Sequence, residues 1–347
     1  MPRYVLSLDF CLLYYNFSLS LQAKNLVFMT ISIIGSGKIV MEVLEMLRAD
    51  IPTIIPMSIY AHSNIDNANR IAVEFGIKEV FNDYDELLSL DKSDFLYIAN
   101  VNTAHYDYAR RALEAGRNVI IEKPICMTLA ETEHLVSLAR SKQLMLIEAV
   151  SLLHMPNIEL LRAKLSDIGR VHLIECDYSQ YSSRYDRYMN GDVAPAFNPG
   201  QGGGALRDLN VYNINFVIAL FGAPRNVKYV ANRGFNGVDT SGILLLQYTD
   251  FLCVCSAGKD CHGLPYGQIH GERGVLRVDG PVSVLNSFYT VCHSGTKEHN
   301  VNTFKHRLAH EFASIERMFM ARDYAAFNRY QDISLAVMKV IEEASAV

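Results

Sequence analysis

The most constraining feature of this chain is an alternation. From Thr30 to Glu148, short apolar runs rich in β-branched residues alternate with stretches of helical periodicity. Ile31–Ile34, Ile54–Tyr60, Phe95–Ala99, Val119–Ile121 and Leu144–Glu148 read as strands. Val40–Leu47, Asn67–Phe75, His105–Ala115 and Leu129–Arg140 read as the helices between them. Parallel strands need a crossover of a dozen or more residues, usually a helix, whereas antiparallel strands can be joined by a tight turn. The spacing therefore predicts βαβ units and a parallel sheet, doubly wound if the crossovers are right-handed.

The second half has a different rhythm. After a helical stretch at Asn157–Leu165, strand-like runs follow closely: Val171–Tyr178, Val227–Asn232, Gly242–Tyr248, Leu252–Ala257, Tyr266–Gly271 and Val275–Val278. Asn236-Gly237 and Glu272-Arg273-Gly274 supply turn signals. Short gaps favour antiparallel pairing, so an α+β domain with an antiparallel sheet and helices on one face is expected. Ala205–Phe221, His306–Arg322 and Tyr324–Ala346 read as helices. A length of 347 residues suits about two domains. The change of rhythm puts the boundary near Ala149–Met155, giving domains 29–150 and 151–347.

Residues 1–28 fit neither domain. Phe10–Tyr15 is apolar but is flanked by Asp9 and Asn16. It falls short of the roughly 20 apolar residues a membrane span requires. We expect an extension that is disordered or that precedes the native start at Met29.

Gly35-Ser36-Gly37-Lys38-Ile39 follows the first strand and opens the first helix. Gly35 permits a tight turn, and Gly37 lets the backbone approach a pyrophosphate at the helix N-terminus. This identifies residues 29–150 as a candidate dinucleotide-binding Rossmann domain. Val40 occupies the third small position and should hold helix and strand slightly apart. The GxxxxGK spacing of a P-loop is missing, so Lys38 does not make one. NAD enzymes usually place an acid after the second strand for the ribose hydroxyls. Here Tyr60-Ala61-His62-Ser63-Asn64 carries none before Asp66. His62, Ser63 and Asn64 could donate to a 2′-phosphate, so NADP is favoured over NAD.

Three further motifs occur in order: Asn100-Val101-Asn102-Thr103-Ala104-His105, Glu122-Lys123-Pro124, and Gly202-Gly203-Gly204 leading to Asp208 and Tyr212. With the glycine loop they resemble the Gfo/Idh/MocA family of NAD(P)-dependent oxidoreductases over about residues 30–347. Tyr212, where many members have His, resembles the dihydrodiol and xylose dehydrogenase branch. Asn100-Val101 stands where the family commonly has Thr-Pro, and Asn210 where it has Gly.

The resemblance implies an enzyme that interconverts an alcohol and a carbonyl on a sugar, polyol or cyclic diol. It places Lys123 beside the nicotinamide, where an ammonium can hydrogen-bond a carbonyl oxygen. Pro124 would fix the backbone there, through a cis bond if needed. Asp208 and Tyr212 are four residues apart and share a helix face. Tyr212 is the expected proton donor and acceptor, with its pKa of about 10 lowered by Lys123. Asp208 would orient Lys123 or bind substrate hydroxyls. Asn100, Asn102, His105 and Glu122 resemble positions near the cofactor. Gln180, Tyr181, Arg184 and Asn198 are candidate substrate contacts. The family also implies a homodimer or higher homo-oligomer through the open face of the second sheet. The rival reading is a non-catalytic cofactor-binding sensor, which would need neither Lys123 nor Tyr212.

Charge and cysteine usage exclude other classes. Lys plus Arg is 32 against 37 for Asp plus Glu, a net charge of −5, without the basic excess of a general nucleic-acid binder. The seven cysteines are odd in number and widely spread, which argues against a disulfide framework and for a reducing cytoplasm. Cys253 and Cys255 should share one core-facing side of a strand. Cys261-His262 and Cys292-His293 lack the partners that a four-ligand zinc site requires, so no metal is expected.

Overall fold

The computed structural model describes residues 28–345. The expected N-terminal extension lies outside the described residues, apart from Phe28. The first sheet contains β1 (Met29–Ile34), β2 (Ile54–Tyr60), β3 (Glu79–Phe81), β4 (Phe95–Ile98), β5 (Asn118–Glu122) and β6 (Leu146–Ala149). Their spatial order is β3-β2-β1-β4-β5-β6, and every neighbouring pair is parallel. This is the Rossmann arrangement. The crossover helices are α1 (Lys38–Asp50), α2 (Ile65–Phe75), α3 (Tyr84–Leu90), α4 (His105–Glu114) and α5 (Leu129–Ser141). All four residues of β4 are buried, as expected of a parallel strand covered on both faces. The winding direction reverses between β1 and β4, and a crevice opens there at the carboxyl ends of the strands. The short β3 has no separate sequence signal and extends the edge beside β2.

The chain then passes through α6 (Pro156–Lys164) into a second sheet. Its strands are β7 (Val171–Ser179), β8 (Asn226–Arg233), β9 (Asp239–Gln247), β10 (Leu252–Gly258), β11 (Tyr266–Gly271), β12 (Gly274–Asp279), β13 (Phe288–Cys292) and β14 (Gly295–His299). The order is β14-β13-β12-β11-β7-β10-β9-β8. One pair departs from the antiparallel expectation, because β7 and β10 run parallel. The β7–β8 connection explains this: it includes the short α7 (Tyr185–Met189) and the long α8 (Val211–Phe221), which together provide a crossover. Cys253 and Cys255 both point inward and are fully buried.

The C-terminal helices α9 (Arg307–Met320) and α10 (Tyr324–Ser345) return to the first sheet. Phe312 packs edge-on against Tyr97 at 5.6 Å, and Phe327 stacks near Phe95. Three buried clusters are found among the described residues, one of which joins β1, α1 and α9. The crevice at the strand ends therefore faces the second sheet across a framework tied from both termini of the described chain. Among the described residues, no helix is long and apolar enough to cross a membrane.

Candidate active site

The glycine loop forms at the end of β1. Gly35 has φ +128°, a region that L side chains rarely adopt, and a Cβ there would meet the Ala99 carbonyl oxygen at 2.6 Å. Its N–H donates to Tyr60 O at 2.8 Å. Gly37 differs: φ is −81° and a Cβ would meet nothing within 4 Å. Among the described residues, no protein atom requires glycine at position 37. What the residue preserves is open space before the N-terminus of α1, whose first turn carries no acid and whose N-cap makes no side-chain bond. Val40 is fully buried behind this turn.

A cavity of about 480 Å³ opens along this edge. Its walls include Gly35, Ser36, Gly37, Ile39, His62, Ser63, Asn64, Asn100 and Val101. Asp66 is not among the lining residues and sits in the first turn of α2. The Oδ1 of Asn100 is buried without a hydrogen-bond partner among the described residues, an acceptor left over at the cavity wall. A glycine cradle, an open helix N-terminus and an unused acceptor fit a dinucleotide. The site also uses residues not singled out in the sequence. Asn67 donates from Nδ2 to Ser36 O at 2.6 Å and pins the loop. Tyr60 and Tyr108 line the cavity with their hydroxyls 3.0 Å apart.

His105 does not line this cavity. It is fully buried, with Nδ1 2.9 Å from Pro124 O and Nε2 3.3 Å from Asn100 O. Burial lowers its pKa despite the two carbonyls. Expected as a cofactor contact, it instead braces the loops after β4 and β5 from behind. Glu122, at the end of β5, accepts from Tyr97 Oη at 2.7 Å. Burial raises its pKa, against the pull of Tyr97 and Lys123. The Lys123–Pro124 bond is cis.

Lys123 Nζ lies 3.3 Å from Asp208 Oδ1 and 5.1 Å from the centre of the Tyr212 ring. The three residues singled out for chemistry converge, although 85 positions separate Lys123 from Asp208. Asp208 occupies a π-helical turn, Leu206–Asn210, that leads into α8. The triple glycine sets this turn. A Cβ on Gly203 would meet Pro195 O at 2.6 Å, and one on Gly204 would meet Asp239 Oδ1 at 2.0 Å. Asp239 in turn accepts from the Leu206 N–H at 2.7 Å. Asn210 is buried and donates to Cys255 O at 3.0 Å, pinning the turn to β10.

A second lysine completes the cluster. Lys259, just after β10, places Nζ 2.7 Å from Asp208 Oδ2. Burial alone would raise the Asp208 carboxyl, but Lys123 and Lys259 hold it down at about 2. Burial pulls the Lys123 ammonium down, and Tyr212, Asp208 and Glu122 outweigh it to give a net rise. Tyr212 corrects an expectation. Lys123 and Arg307 do lower its pKa, but burial outweighs both and the net shift is upward. At neutral pH it is a phenol.

A smaller cavity, about 190 Å³, adjoins the first at Val101. Asn102, Arg184, Gln201 and Asp208 line it. Asn102 also donates to Gln201 O at 3.4 Å, linking the two halves of the chain. Of the other substrate candidates, Gln180 is exposed beyond the end of β7. Tyr181 donates to Asp186 and stacks on His262. Asn198 uses its side chain on its own loop, accepting from the Gly200 N–H at 3.0 Å. That Asx turn is a structural role, and a loop asparagine before glycines could have signalled it.

Residues 29–150 match the oxidoreductase family with an NAD-binding Rossmann fold, and residues 162–277 match the GFO/IDH/MocA C-terminal domain. Over 248 residues the chain is 34% identical to scyllo-inositol 2-dehydrogenase (NADP(+)) IolU of Bacillus subtilis, covering 72% of this chain and 75% of that protein. It is 29% identical to the trans-1,2-dihydrobenzene-1,2-diol dehydrogenase of Xenopus tropicalis, over 65% of this chain and 68% of that one. Among solved structures, KijD10, a 3-ketoreductase from Actinomadura kijaniata in complex with NADP and TDP-benzene, superposes with a TM-score of 0.78 at 20% identity. It covers 92% of this chain and 97% of its own, and at that identity it supports the fold alone. Fold, ordered motifs and relatives agree: the chain belongs to the Gfo/Idh/MocA family of NAD(P)-dependent oxidoreductases, within reach of its dihydrodiol dehydrogenase branch.

Proposed function

We propose that the protein oxidises a secondary alcohol of a cyclic polyol or diol to the ketone, and reduces the ketone in the reverse direction. The observation that carries this reading is the convergence of Lys123, Asp208 and Tyr212, with Asp208 lining the smaller cavity that adjoins the cofactor cavity at Val101. The names of the inositol and dihydrodiol dehydrogenase relatives support the substrate class. When bound, NAD(P) accepts or supplies the hydride at its nicotinamide ring.

The chain's own residues manage the proton and the charge. Lys123 donates a hydrogen bond to the substrate oxygen and polarises it in the carbonyl state. Asp208 lies against Lys123 and shares its carboxylate with Lys259. Tyr212 gives its phenolic proton to that oxygen during reduction and takes it back during oxidation. The loop of Gly35, Ser36, Gly37, Lys38 and Ile39 takes the pyrophosphate. Asn100, Asn102 and Glu122 frame the nicotinamide end. His62 and Ser63, with no carboxylate among the cavity residues beside them, favour NADP by donating to a 2′-phosphate. A reducing cytoplasm suits the buried thiols Cys126, Cys176, Cys253 and Cys255.

The test is a spectrophotometric screen of inositols, other polyols and cyclic diols with NADP⁺ and NAD⁺. Turnover with a cyclic polyol or diol is expected, with the higher kcat/KM for NADP⁺. Lys123→Met should lose at least about 100-fold in kcat while still binding NADPH. Because the Tyr212 phenol is held protonated by burial, oxidation should rise with pH across the alkaline range. Tyr212→Phe should abolish that rise. An unchanged pH profile in Tyr212→Phe would assign the proton transfer to another group.

A further inference from the structure

We infer that Lys259 is a positioning residue that gives the catalytic cluster its net positive charge: it takes up the Asp208 carboxylate and so leaves Lys123 able to turn its hydrogen bonds to the substrate oxygen. The inference rests on the reading of Lys123 as the group that polarises the carbonyl.

The geometry shows which ammonium holds the carboxylate. Lys259 Nζ is 2.7 Å from Asp208 Oδ2 and 2.6 Å from Ala196 O, and lies 4.6 Å from the centre of the Phe197 ring. Its side chain is 3% exposed. Lys123 is held more loosely, at 3.3 Å from Asp208 Oδ1 and 3.5 Å from Asp208 O, with a side chain 20% exposed. Charge-assisted N–H···O bonds are ordinarily about 2.7–2.9 Å. The buried contact therefore has the length of a full ion pair, and the more exposed one does not.

Charge counting says what this arrangement achieves. Lys123 and Lys259 are cations and Asp208 is an anion, so the trio carries one positive charge. Without Lys259, Lys123 and Asp208 would form a neutral pair. Lys123 would then close onto the carboxylate and offer a substrate oxygen little net field. A structural link to the Ala196 carbonyl does not itself require a cation. A neutral donor could satisfy it without the desolvation cost of an ammonium buried to this degree.

The test compares wild type with Lys259→Met and with the double variant Asp208→Asn/Lys259→Met, which removes one charge of each sign and restores the net positive charge. In Lys259→Met, kcat should fall at least about tenfold while the NADPH Kd stays within about twofold. The double variant should recover kcat severalfold relative to Lys259→Met, the opposite of what two structural losses would produce. A second measurement needs no substrate. The rate at which an acylating reagent labels the Lys123 amine, followed by mass spectrometry on the apo-protein, should fall in Lys259→Met and recover in the double variant. That readout decides the matter even if no tested polyol turns over, so failure of the substrate reading is distinguishable from failure of this one. Unchanged labelling, or a double variant worse than Lys259→Met, would overturn the inference. So would loss of folding in both Lys259→Met and Lys259→Gln, which would make Lys259 structural.

Discussion

Glu311 shows how burial rather than residue type sets chemical state in this protein. It lies on α9, is 1% exposed, and neither carboxyl oxygen has a hydrogen-bond partner among the described residues. Burial, reinforced by the charge of Glu122, pushes its pKa well above the ordinary 4.5. The folded protein thus retains a proton that the unfolded chain releases near pH 4.5. Stability from this group is complete below that pH and falls as pH rises towards the folded value. Glu122 and Glu148, both raised mainly by burial, add slopes of the same sign. Glu311→Gln removes one of these contributions. Its melting temperature should decline less steeply than wild type between about pH 5 and 8, as scanning calorimetry across that range would show. Parallel pH profiles would mean that Glu311 finds a partner in solution. Tyr212 belongs to the same class: a neighbouring lysine was legible in the sequence, but the depth of burial that reverses the net shift was not.

At the scale of the element, the turn from β1 into α1 separates two glycine roles that look alike in sequence. Gly35 is required by the protein itself, through its positive φ and the approach of the Ala99 carbonyl. Gly37 meets nothing and adopts a φ open to any residue. Gly35→Ala should therefore lose about 1–3 kcal/mol of stability through backbone strain, with the clash adding to it. Gly37→Ala should cost less than about 1 kcal/mol, yet weaken NADPH binding at least about tenfold by filling the approach to the helix N-terminus. Thermal melts paired with a fluorescence titration would check both. Full NADPH affinity in Gly37→Ala would mean that the pyrophosphate does not approach there. The triple glycine follows the same logic: Gly203 and Gly204 are fixed by Pro195 and Asp239 and hold the turn that carries Asp208. Asn198, expected as a substrate contact, also belongs to that local machinery through its Oδ1.

At the scale of the whole molecule, the second sheet has, among the described residues, one face against helices and one without. On the outer face Val230 is 64% exposed and Ile243 56%, and the two are register partners on β8 and β9. Leu252 on neighbouring β10 is 45% exposed. Adjacent exposed aliphatic side chains on an uncovered sheet face mark an association surface. We expect a homodimer through this face, read by light scattering after size-exclusion chromatography. Ile243→Asp should shift the population towards monomer without altering the NADPH Kd, because the cofactor cavity lies on the other sheet. A monomeric wild type at micromolar concentration would remove the dimer from this account.

The alternation of strands and helices, the glycine loop and the triple glycine were all legible because each answers a local requirement. A strand buried on both faces must be apolar throughout, a turn with positive φ selects glycine, and a parallel connection needs a helix. Such demands are met by neighbours in the chain and leave a pattern there. The parallel pairing of β7 with β10, the return of α9 and α10 to the first sheet, Asn67 on the glycine loop and Lys259 on Asp208 were decided only in three dimensions. Lys259 and Asp208 are 51 positions apart and meet because strand register carries one to the other. Nothing in the residues flanking Lys259 encodes that meeting. Its energetics depend on burial, which the chain acquires only once both sheets have packed.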